Sequence, residues 1–179
     1  MADELLKTFD DQGNEVEPML RSDIVAQELP KKYFAGISAI WVANEDAQIL
    51  CSQRSDKVLN YPGLWQTFFG GHVQPTQTFL ETATRELYEE AGLIARDSEL
   101  TEVLVKRTKF GTYAHGYVFL FDESKHKISF IDGEVQNTRW LSFEQYNTEF
   151  GLLPEQWCNG CDNQEQQLIL SFLKTKTTK

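Results

Sequence analysis

Glu86, Glu89 and Glu90 stand at i, i+3 and i+4 in the run Arg85-Glu86-Leu87-Tyr88-Glu89-Glu90. On a helix this spacing brings the three side chains out on one face, within reach of each other. Like charges so placed repel, and a divalent cation converts that repulsion into binding. Carboxylate oxygens suit a hard ion such as Mg2+, which keeps some waters and completes its octahedron with phosphate oxygens. The chemistry this permits is metal-assisted attack of water at phosphorus. Taken alone, the same cluster also reads as a solvated helix face, the commonest use of helical charge.

The element that must carry these residues is legible around them. Leu80, Ala83, Leu87 and Ala91 recur at helical spacing between Thr78 and Ala91, and Gly92 supplies a stop. Apolar runs predict strands over 34–42, 48–53, 65–69, 100–107, 113–121 and 138–141. Ser142 is placed to cap a short helix, and an apolar stripe predicts a last helix over 163–173. Weaker signals suggest a helix over 22–28 and a hairpin around Asp11-Gln12-Gly13-Asn14. Strands around one central helix, with another at the end, imply an α/β protein whose mixed sheet is covered on both faces.

Composition narrows the partners. The 179 residues suffice for one domain spanning 1–179, with a core over about 34–149, an N-terminal arm 1–33 and the C-terminal helix 163–173. A net charge of −10 repels nucleic-acid polymers and anionic membrane surfaces, so the expected partner is a small phosphorylated molecule brought in with metal. A homodimer is left open. No signal-like or membrane-spanning stretch is apparent, which points to the cytoplasm. Three cysteines, Cys51, Cys158 and Cys161, are too few for a disulfide framework and are expected to be reduced thiols. Cys158 and Cys161 have the spacing of half a zinc site, without a second pair to complete it.

The segment from Gly70 to Leu93 closely resembles the Nudix box, G-x5-E-x7-R-E-U-x-E-E-x-G-U, where U is bulky and apolar. Gly71, Arg85, Glu86, Leu87, Glu89, Glu90, Gly92 and Leu93 occupy its positions in order; Gln77 stands where the family has glutamate. Gln53-Arg54-Ser55, Tyr61-Pro62-Gly63-Leu64-Trp65 and Thr138-Arg139-Trp140-Leu141 extend the likeness. The resemblance implies an α/β/α sandwich with a loop-helix-loop motif. It also implies a hydrolase that splits a diphosphate linkage in a nucleoside diphosphate derivative or similar metabolite, using Mg2+ or Mn2+. By the same mapping Glu86, Glu89, Glu90 and the Gly70 carbonyl hold metal, and Arg85 orients the carboxylates. Glu89, Glu90 or the outlying Glu134 then serves as base.

Arg54, at the end of a predicted strand, is a candidate for gripping the diphosphate, and equally for a surface ion pair. Tyr61, Phe110 and Tyr113 are candidate stacking groups to which no role is assigned. Gln77 retains hydrogen bonding to Arg85 without its family counterpart's charge, with Glu81 one turn before Arg85 as a substitute partner. Gly71-His72 also resembles isopentenyl-diphosphate isomerases, although Gly70 stands where such an enzyme would carry a cysteine. Isomerase and catalytically weakened binding module are the alternatives to hydrolase.

Overall fold

The computed structural model describes residues 3–108 and 111–177. A hairpin of β1 (Leu5–Phe9) and β2 (Glu15–Leu20) leads through α1 (Arg21–Ala26) into the long central strand β3 (Phe34–Ala43). β4 (Gln48–Arg54), β5 (Trp65–Gln66) and β6 (Phe69–His72) precede helix α2 (Phe79–Ala91). Then come β7 (Leu100–Arg107), β8 (Thr112–Leu120), β9 (Val135–Ser142), α3 (Phe143–Leu152), β10 (Trp157–Asn159) and α4 (Asn163–Thr177). The ten strands of the described residues join one mixed sheet: β3 runs parallel to β8 and antiparallel to β1, β4 and β6.

The period-2 alternation of strand side chains divides the core in two. Ile40 and Val42 of β3, Leu50 of β4 and Tyr117 and Phe119 of β8 pack with Ala83, Leu87 and Ala91 of α2. The alternate residues Trp41, Ala43, Ile49, Cys51 and Val118 pack with Tyr146 of α3 and Ile169, Phe172 and Leu173 of α4. This is the expected α/β/α sandwich. No helix among the described residues is long and apolar enough to cross a membrane.

Several details differ from the sequence reading. The run 65–69 is two strands: β5 pairs with β4 and β10, β6 pairs with β3, and Thr67 and Phe68 carry the chain between them. The N-terminal residues form the hairpin expected around Asp11-Gln12-Gly13-Asn14, and β1 in addition pairs with β3, which adds that hairpin to the sheet. β9 starts at Val135, three residues earlier than expected, so Glu134 abuts a strand that pairs with β4 as far as Arg54.

Candidate active site

Helix α2 is fixed at both ends. Thr78 caps its first turn, accepting from the Glu81 N–H while the Glu81 carboxylate accepts from Thr78 N at 2.8 Å and Oγ1 at 2.9 Å. Glu81 is thereby committed to the cap, and the expected pairing with Arg85 gives way to it. Gly92 ends the helix at φ 67°, in the left-handed region that glycine occupies without strain. A Cβ there would lie 2.0 Å from Ser129 Oγ, so the 129–132 loop can close against the helix end. Its backbone N–H groups donate to Ala91 O at 3.0 Å and, from Ile131 and Asp132, to Glu89 O at 3.2 and 3.3 Å. This docking was not apparent in the sequence; the turn-forming Asp132-Gly133-Glu134 was its only trace.

β6 and the loop after it press against the acidic face of α2. Gly70 has φ 151°, and a Cβ on it would lie 2.0 Å from Ser38 O. Its N–H donates to Glu90 Oε2 at 3.0 Å. A Cβ on Gly71 would sit 2.3 Å from Glu86 Oε1, so two consecutive glycines let backbone and carboxylates approach closely.

Glu90 is only 3% exposed. Burial, reinforced by Glu86, pushes its carboxyl well above the usual range; the Gly70 N–H pulls the other way. Glu86 is raised by burial to about 7, against the opposing effect of Arg85 and with further raising from Glu89 and Glu134. Arg85 spans two carboxylates, donating from Nη2 to Glu86 Oε1 at 2.7 Å and from Nη1 to Glu89 Oε2 at 2.6 Å. Its Nε is buried with no hydrogen-bond partner. Gln77 does not meet Arg85: its Oε1 accepts from Thr82 Oγ1 at 3.1 Å.

Arg54 and Glu134 are brought together as an ion pair at 3.9 Å. Glu134 influences both Glu86 and Glu90, and Asp132, which sequence reasoning assigned no role, influences Glu90. Five carboxylates thus share a site with two guanidinium groups, a deficit of positive charge that fits a hard divalent cation. Among the described residues, however, no three His, Cys, Asp or Glu side chains converge closely enough to hold an ion as they stand. Arg85 draws on Glu86 and Glu89 while the Gly70 N–H holds Glu90, so the three glutamates engage different partners.

The remaining candidates fall elsewhere. Tyr113 stacks on Phe9 at 4.7 Å beneath the β1–β2 turn, and Phe110 lies outside the described residues. His72 ends β6 opposite Ile37, its pKa lowered by burial and then by Arg21. Cys51 is buried and pushed up to about 12 by that burial. Cys158 faces the Trp65 carbonyl at 3.4 Å, and Cys161 is in the core.

A mixed sheet between helices, with an acidic helix seated against a glycine pair, defines a Nudix-type architecture. Residues 32–157 match the NUDIX domain, and the chain belongs to the Nudix family. That membership agrees with the family read from the box. A curated relative, the isopentenyl-diphosphate Delta-isomerase of Saccharopolyspora erythraea, is 38% identical over 119 residues, which is 61% of this chain. The match spans 58% of that relative's length. DR0079 from Deinococcus radiodurans shares the fold with a TM-score of 0.68 at 19% identity, over 94% of this chain and 98% of that one. A bifunctional NMN adenylyltransferase/ADP ribose pyrophosphatase from Francisella tularensis, complexed with AMP and a Mn ion, has a TM-score of 0.53 at 22% identity. That match covers 82% of this chain and 43% of the other.

Proposed function

We propose that this protein hydrolyses a diphosphate linkage in a small phosphorylated metabolite with the aid of Mg2+ or Mn2+. The observation that carries the reading is the burial of Glu90 and Glu86 among carboxylates, at a cost in desolvation that no neighbouring cation fully offsets. Glu86, Glu89, Glu90 and the Gly70 carbonyl would hold the metal. When bound, it supplies positive charge to the phosphoryl oxygens, where charge develops in the transition state. Arg54 adds a guanidinium for a phosphate oxygen, and Arg85 positions Glu86 and Glu89. Glu134, with its side chain 53% exposed and within electrostatic reach of Glu86 and Glu90, has the access to solvent needed to take a proton from the attacking water.

The relative from Saccharopolyspora erythraea raises the isomerase reading. Position 70 argues against it: φ 151° and the Ser38 carbonyl 2.0 Å from a Cβ leave no room for a side chain that could exchange a proton with substrate carbon. A screen of nucleotide sugars, dinucleotides, nucleoside triphosphates and prenyl diphosphates, with and without Mg2+, tests the proposal. Metal-dependent release of phosphorylated products is expected. Dimethylallyl diphosphate formed from isopentenyl diphosphate would replace hydrolase with isomerase, and metabolite binding without turnover would leave a binding module.

A further inference from the structure

Beyond Arg54 the chain makes a tight loop whose backbone is held from several sides. Arg54 Nε donates to Asn60 O at 2.9 Å, Gln53 Nε2 to Gly63 O at 2.9 Å, and Arg54 N to Leu64 O at 2.9 Å. Leu64 N–H returns to Tyr61 O at 3.3 Å across Pro62 and Gly63, whose φ of 72° gives the turn its left-handed corner. Within this loop Tyr61 has φ 54°. A bulky residue rarely enters that region, and one preceding proline favours extended backbone. The conformation is therefore imposed by the surrounding bonds, and strain retained in a well-held loop is a mark of ligand clamps.

Tyr61 gains little burial in return, since it is 61% exposed and its loop neighbour Leu59 is more exposed still. The exposed apolar groups stand beside charge: Asn60 is held by Arg54, and Arg54 pairs with Glu134. The second loop ending at that pair carries Phe130 and Ile131, also exposed, and is bonded to the Glu89 carbonyl. Two anchored loops, each joined to the candidate phosphate site, thus present apolar side chains to solvent.

We propose that Tyr61 is a specificity-determining residue, the platform for the non-phosphate part of the substrate, which is accordingly a flat aromatic or extended apolar group attached to the diphosphate. This rests on the hydrolase reading for the position of the phosphates. The Tyr61 ring supplies a face for stacking or apolar contact while Arg54 engages the adjoining phosphate.

The test compares Tyr61→Ala, Tyr61→Phe and Tyr61→Gly with wild type on a nucleotide sugar, a prenyl diphosphate and methyl diphosphate. For Tyr61→Ala, kcat/KM on the favoured substrate relative to methyl diphosphate should fall roughly tenfold, mainly through KM, and Tyr61→Phe should retain most of it. A loss confined to the nucleotide sugar identifies a flat base, and one confined to the prenyl diphosphate an apolar chain. Tyr61→Gly should show the same loss of affinity with an equal or higher Tm, because glycine accepts φ 54° without strain; a merely structural tyrosine would lower Tm. An unchanged ratio in Tyr61→Ala overturns the inference. Should wild type hydrolyse none of the three, the hydrolase reading fails separately. Calorimetric binding of their methylene-bridged, non-hydrolysable analogues then decides: roughly tenfold weaker binding by Tyr61→Ala supports the platform, and equal binding, or none by wild type, overturns it.

Discussion

Two glutamates on opposite faces of the sheet are almost equally buried, Glu90 of α2 at 3% exposure and Glu165 of α4 at 7%. Glu165 is fully engaged: Lys106 Nζ donates to Oε1 at 2.6 Å and Asp162 N to Oε2 at 2.8 Å, and the lysine also reaches Asp162 at 3.1 Å. Glu90 has one backbone donor, the Gly70 N–H, and neighbours of its own charge. Burial is therefore not what distinguishes them; the supply of positive charge is. A buried carboxylate with its lysine belongs to the structure of α4, whereas one left among other carboxylates costs stability, as the proposed metal site requires.

Neutralising each glutamate gives the largest contrast. Glu90→Gln should lower metal-dependent turnover on the order of 10²- to 10³-fold, as losing a group that organises transition-state charge does. The metal-free fold should become more stable, since a neutral amide is cheaper to bury there. Glu165→Gln should cost about 1 kcal/mol by weakening the Lys106 contact, with turnover close to wild type. Chemical denaturation and steady-state kinetics on both variants check this; a Glu90→Gln protein that loses stability without metal would remove the distinction.

The pH dependence of metal-free stability follows with its sign. Glu86 has its carboxyl raised from 4.5 to about 7 in the folded protein, so below 4.5 both states are protonated and no penalty exists. As pH rises through that interval the unfolded chain ionises first, and stability falls until the folded carboxyl also ionises near 7, by on the order of 3 kcal/mol in total. Denaturant midpoints between pH 4 and 8 should show the decline. Glu86→Gln should flatten it, and saturating Mg2+ should offset it; a midpoint that rises with pH in the metal-free protein, after correction against Glu86→Gln, would contradict the assigned burial cost.

Much of this arrangement is written locally. The helical period of Leu80, Ala83, Leu87 and Ala91 and the cap signals at Thr78 and Gly92 located α2 to within a residue, because each depends on neighbours in sequence. Ser142 likewise capped α3 as expected. Strand β10 and the split between β5 and β6 were not legible, since both depend on which distant strand accepts the pairing. In the site, the acidic spacing was readable, but the partners of Arg85 were not: whether it meets Gln77, Glu81, Glu86 or Glu89 depends on rotamers and competing bonds that spacing leaves open.

A smaller effect is expected where backbone and carboxylate touch. Gly71→Ala would place a Cβ 2.3 Å from Glu86 Oε1, and the flexible carboxylate must move aside. Metal affinity should fall roughly tenfold, in the range seen when groups that support metal ligands are disturbed, while the fold changes little because the obstacle is a side-chain end. Calorimetric titration with Mg2+ or Mn2+ measures it. Undiminished affinity would mean that Glu86 is not positioned by that glycine, and the close approach would lose its functional reading.

The smallest effect belongs to Gln77, where the hold of Arg85 on the acidic face can be adjusted without touching a proposed metal ligand. Arg85 now divides its guanidinium between Glu86 and Glu89, while its Nε is buried without a partner. Gln77 accepts from Thr82 and offers no charge to compete for the arginine. A carboxylate at position 77 would still accept from Thr82 and would attract Arg85 away from the proposed metal ligands, leaving Glu86 and Glu89 freer to turn toward a cation. Gln77→Glu should therefore raise metal affinity by roughly two- to fivefold, an amount typical of one partly screened ion pair of about 0.5 to 1 kcal/mol, and should leave substrate preference as it was. Glu81→Gln should act differently from what its spacing to Arg85 suggests: Glu81 serves Thr78, so the change should lower the denaturation midpoint slightly, the amide oxygen still accepting from the cap, with little change in metal binding in either background. Mn2+ titrations and denaturation curves on Gln77→Glu, Glu81→Gln and the double variant give the answer. Additive effects place Arg85 under the control of position 77 alone, whereas a loss of metal affinity in the double variant would show that Glu81 also draws on the arginine.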